Sequence, residues 1–74
     1  MWEAIVTTME AALLRSLGLP LPTIEPVYRS DEWEWDAPIR EYRAVIVTET
    51  RHVAALGSSP DIATRNLIKM VVRP

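Results

Sequence analysis

The residues able to do chemistry are few, and their spacing limits what they can do. Asp31, Glu32, Glu34 and Asp36 crowd one short stretch with Trp33 and Trp35. Four carboxylates suggest a hard cation, but a calcium loop needs a glycine turn and a terminal bidentate acid. The stretch supplies neither and reads as a solvated acidic loop or hairpin connection over residues 30–38. His52 is the one histidine and cysteine is absent, which excludes a multi-histidine cluster and a thiolate metal site. Beside Arg51, that histidine reads as a surface residue in a turn, with no positioned nucleophile to serve. No nucleophile–base pair, metal cluster or phosphate-cradling loop is visible, so the sequence assigns no catalytic residue, no metal and no cofactor. Trp33 and Trp35 have two readings: exposed anchors for a protein partner, or rings sharing one face that cover the core.

The most informative stretch is Ala55 to Thr64 (ALGSSPDIAT). It predicts a strand ending at Gly57 and a helix starting at once. Ser59 is a good N-cap because its hydroxyl can accept from N–H groups two or three residues on. Pro60 suits the first helical position, where a missing N–H costs nothing. Asp61 then sets a negative charge at the positive end of the helix dipole. Such a start is satisfied from within and poorly suited to a phosphate.

A chain of 74 residues predicts one domain over residues 1–74, with a marginal core. Eight Lys and Arg against ten Asp and Glu leave a net charge of −2, which argues mildly against nucleic acid. No apolar run approaches a membrane span, and no secretory signal pattern is present. With the lack of cysteine, this predicts an intracellular protein, cytoplasmic or nuclear. The abrupt end after Val71-Val72-Arg73-Pro74 is what a piece of a longer protein would also show.

Residues 2–17 predict a helix with Ile5, Met9, Ala12, Leu13 and Leu17 along its buried face. Gly18 stops it and Pro20 prevents its continuation. Thr23 to Arg29 predicts a strand that Pro26 confines to a sheet edge or a break. Glu41 to Thr50 is the strongest strand signal, Arg51-His52 predicts a turn, and Val53 to Leu56 a short third strand. Pro60 to about Val72 predicts a second helix, burying Ala63, Leu67, Met70 and Val71. The expected class is α+β in the order α-β-β-β-α: a three-stranded antiparallel sheet with two helices packed on one face.

That order, with several local signatures, resembles the double-stranded RNA-binding domain across nearly the whole chain. Leu17-Gly18-Leu19-Pro20-Leu21-Pro22 looks like the family's link from first helix to first strand, and Tyr42, Ala44 and Ile46 like its second strand. Ala55-Leu56-Gly57-Ser58-Ser59 falls on its Gly-x-Gly-x-Ser with alanine at the first glycine, and Ala63 on its small packing residue. The resemblance implies RNA contacts from three places, all degraded here. The phosphate-gripping lysines of the second helix correspond to Pro60, Asp61 and Thr64. The loop between the first two strands keeps only Ala37-Pro38, with no histidine after it and acids around it. The first helix offers Ala11 and Ala12 where polar residues are expected. Ser59, Arg65 and Lys69 are the residual RNA-contact candidates.

The sequence therefore predicts a non-catalytic, dsRBD-like binding module that contacts a protein or a second copy of itself, with weak or no RNA binding. Trp33, Trp35, Val45 and Val47 are its interaction candidates, the valines because they point away from the face of Tyr42, Ala44 and Ile46. Two alternatives stand beside it. One is a duplex-RNA binder in which arginines scattered from Arg29 to Arg73 gather in space. The other is a small inhibitor or antitoxin-like protein that binds one specific target.

Overall fold

A computed structural model of the protein describes residues 2–27 and 41–72. These form, in chain order, β1 (Trp2–Glu3), α1 (Thr8–Ser16), β2 (Thr23–Val27), β3 (Glu41–Val47), β4 (His52–Gly57) and α2 (Pro60–Val72). The strands make one antiparallel sheet in the order β1-β2-β3-β4. Leu14 of α1, Leu19, and Ala63, Leu67 and Val71 of α2 join Ile24, Ala44, Ile46 and Ala55 of the sheet in one buried cluster. The α+β class is as expected, but the sheet has a fourth strand.

That strand explains the largest correction. Residues expected to open the first helix instead pair with β2, Trp2 opposite Ile24 and Glu3 opposite Thr23. The Ala4 N–H then donates to the Pro22 carbonyl at 2.9 Å. The helix begins only after Thr7, whose hydroxyl accepts from the Glu10 N–H (3.1 Å) while the Glu10 carboxylate accepts from the Thr7 N–H (2.8 Å). This capping box satisfies two otherwise orphaned donors. Starting so late, the helix turns a different face inward. Ile5 is 88% exposed and Met9 82%, Ala12 and Leu17 are exposed, and Leu14 is the residue buried, at 1%.

The helix ends as its sequence requires. Gly18 has φ +71°, its N–H donates to the Arg15 carbonyl, and the Leu19 N–H donates to that of Leu14 at 2.9 Å. This is a Schellman motif, and its usual hydrophobic pair is Leu14 with Leu19. Pro26 lies in β2 without cost. β1 covers only Thr23 and Ile24, so the outer side of β2 is unpaired at Pro26 among the described residues. The strand expected over Glu41–Thr50 stops at Val47. Residues Thr48–Arg51 make the turn, closed by the Thr48 N–H on the Arg51 carbonyl (2.8 Å) and the Arg51 N–H on the Thr48 hydroxyl (2.9 Å). His52 is thus the first residue of β4 and not part of the turn.

In α2 the Ser59 hydroxyl accepts from the Ile62 N–H at 3.1 Å, as the N-cap reading expects. Ala63, Leu67 and Val71 are buried with Thr64 and Ile68, whereas Met70 is half exposed. Trp2 meets Tyr42 edge to face, ring centroids 6.1 Å apart. No described helix is long and apolar enough to cross a membrane.

Candidate interaction surface

Strand alternation sorts the sheet residues onto two faces. Ile24, Ala44, Ala55, Ile46 and Val53 face the helices. Thr23, Glu25, Arg43, Val45, Val47, His52 and Ala54 line a shallow cleft of about 480 Å³ on the other face. Val45 and Val47 therefore share the face that no described helix covers, Val47 61% exposed and Val45 partly buried. Their neighbours are not purely apolar: Arg43 and Glu25 form an ion pair across β2 and β3, and His52 stands opposite Val47. The surface is a valine stripe bordered by a neutralised charge pair and an imidazole. Trp33 and Trp35, with the whole acidic stretch, lie outside the described residues.

The residual RNA-contact candidates are placed on the helical side. Arg65 is held between two carboxylates, Nη1 3.1 Å from Glu10 Oε2 and Nη2 3.1 Å from Asp61 Oδ1. The Glu10 contact is an ion pair without directed hydrogen-bond geometry, since Nη1 is buried with no hydrogen-bond partner. Glu10 thus serves twice, as the capping partner of Thr7 and as the anchor of Arg65. The sequence reading missed this, although Thr7-x-x-Glu10 is itself a capping-box pattern. Ser59 spends its hydroxyl on the helix start. Thr64 is 1% exposed and donates to the Pro60 carbonyl at 2.8 Å, so that position faces the core. Lys69 is exposed on α2.

Two further depressions flank α2. One of about 310 Å³, at its amino end, is lined by Trp2, Ile5, Ile24, Ser59, Pro60, Asp61 and Thr64. It joins an apolar wall to a carboxylate, a setting hostile to anions. The other lies between α2 and β4 and takes Lys69 into its wall. Arg43 and Arg65 sit on opposite sides of the sheet, so these two arginines do not gather into one patch. No group of three or more His, Cys, Asp or Glu placed to hold a metal ion occurs among the described residues.

The described residues define an α+β domain with one sheet face under helices and the other uncovered by them. Comparison with protein-family models, curated proteins and solved structures finds no match.

Proposed function

We propose that this domain is a non-catalytic binding module of dsRBD-like architecture, working inside the cell, that contacts a protein partner or a second copy of itself. The observation that carries the reading is the commitment of Arg65. The basic residue nearest the start of α2 is already neutralised by Glu10 and Asp61. A phosphate approaching that helix end would have to displace two carboxylates, and phosphate neutralisation supplies most non-specific nucleic-acid affinity. The uncovered face with Val45 and Val47 offers the opposite character, apolar area beside a charge pair already closed on itself.

Sedimentation across concentration, paired with titration of a duplex RNA of ~16 base pairs at low salt, tests this. The expected result is no RNA binding and an association, with itself or with a captured partner, that Val45→Asp/Val47→Asp weakens at least about tenfold. Salt-sensitive RNA binding by a strictly monomeric protein would overturn the reading.

A further inference from the structure

The outer edge of β4, which no described strand covers, carries a more specific inference, which rests on the reading of the domain as a protein-binding module. Among the described residues β4 is the terminal strand and pairs only with β3. The adjoining turn closes at Thr48 and Arg51, and bonded and non-bonded pairs alternate along an antiparallel ladder from there. Val53, Ala55 and Gly57 therefore bond toward β3, while His52, Ala54 and Leu56 aim their backbone groups outward. The Leu56 carbonyl agrees, because Asn66 Nδ2 on α2 donates to it at 2.9 Å. Edges are normally blunted by proline, lysine or a bulge. The sequence of β4, HVAALG, carries no proline, lysine or acid.

Beside the edge runs a groove of about 380 Å³ lined by Ala55, Leu56, Asn66, Lys69 and Met70. Leu56 and Met70 are each half exposed. Its one charged wall is a cation, and Arg51 stands just before the opposite end of the strand. The described carboxylate nearest in sequence, Glu49, belongs to the turn before Arg51. On a chain of net charge −2, this margin is cationic, which selects the charge of whatever docks there.

We propose that the β4 edge is a strand-addition site for an extended acidic segment of a partner protein, alternating carboxylates with aromatic or apolar residues. Its main chain bonds to the outward groups of His52 and Ala54. By strand alternation its carboxylates enter the groove on the helix side to meet Lys69, with Arg51 beyond. Its apolar or aromatic side chains lie on the other face beside Ala54 and the half-exposed Leu56. Backbone bonds supply affinity, and the groove and charges supply selection.

The test uses a fluorescently labelled peptide, acetyl-Glu-Trp-Glu-Val-Glu-Trp-Glu-amide, titrated by anisotropy. Saturable binding is expected, with Lys69→Glu weakening it about tenfold as one close charge pair becomes repulsive. The same peptide N-methylated at alternate residues should fail to bind even at roughly a hundredfold higher concentration, a control that leaves the protein unaltered. Equal binding by the methylated peptide, or by one with lysine in place of glutamate, would overturn the proposal. If neither peptide binds while Val45→Asp/Val47→Asp still disrupts association, the edge site falls and the protein-binding reading stands. Binding of duplex RNA instead removes both.

Discussion

Gly57→Ala is expected to lower the unfolding free energy by about 2 kcal/mol, the scale of forced overpacking in a tight core. At Gly57 the last residue of β4 passes directly against the first turn of α2. An added Cβ would lie 2.8 Å from both the Ala63 Cα and the Ile62 carbonyl carbon. These are backbone atoms, so no flexible side chain can swing aside. The φ of Gly57 is not in the left-handed region, which separates this case from Gly18. The requirement is for space, not conformation. A domain of 74 residues holds a total stability of roughly 4–11 kcal/mol, so the methyl removes a large share. Urea unfolding followed by circular dichroism would show it as a lower midpoint at unchanged slope. An unshifted midpoint would mean that the strand–helix corner has slack the structure does not show.

Leu14→Ala should cost more, about 3 kcal/mol, as transfer and cavity terms add for a fully buried leucine. Leu14 is the one residue of α1 that is fully buried, and the Schellman turn fastens Leu19 beside it. The contrast is with the residues that the sequence pattern placed inside. Met9→Ser, at a site 82% exposed, should change stability by no more than about 0.5 kcal/mol, as exposed substitutions do. Thermal melts of the two variants side by side decide between the two helix faces. A costly Met9→Ser with a harmless Leu14→Ala would restore the original one.

The reason the first helix was misjudged is physical. Ile5, Met9 and Leu13 have ideal helical spacing, but spacing only says which residues would share a face if all were helical. Trp2 and Glu3 find strand partners in Ile24 and Thr23, and that tertiary pairing overrides local propensity. In α2 the reading fared better, because Ser59 and Pro60 fix the starting residue and hence the phase of Ala63, Leu67 and Val71. The open-face position of Val45 and Val47 was legible from strand alternation alone. The closure of Arg65 onto Glu10 was not, since residues 55 positions apart meet only when α1 and α2 pack together. His52 was misplaced by one structural element because the turn closes already between Thr48 and Arg51, the Thr48 N–H donating to the Arg51 carbonyl and the Arg51 N–H to the Thr48 hydroxyl.

The sheet order also bears on how the chain reaches this state. Each strand lies beside its predecessor in sequence, and α2 follows β4 directly and packs on β3 and β4. Residues 41–72 can thus assemble through contacts of short loop length, the kind that make folding fast. Leu14 and Glu10 must cross most of the chain to reach α2, so their contacts close the largest loops and form late. The sensitivity to Leu14→Ala should then appear chiefly as faster unfolding, with the folding rate little altered. The first helix would act as a latch on an assembled hairpin–helix unit, setting how long the fold persists more than how quickly it forms.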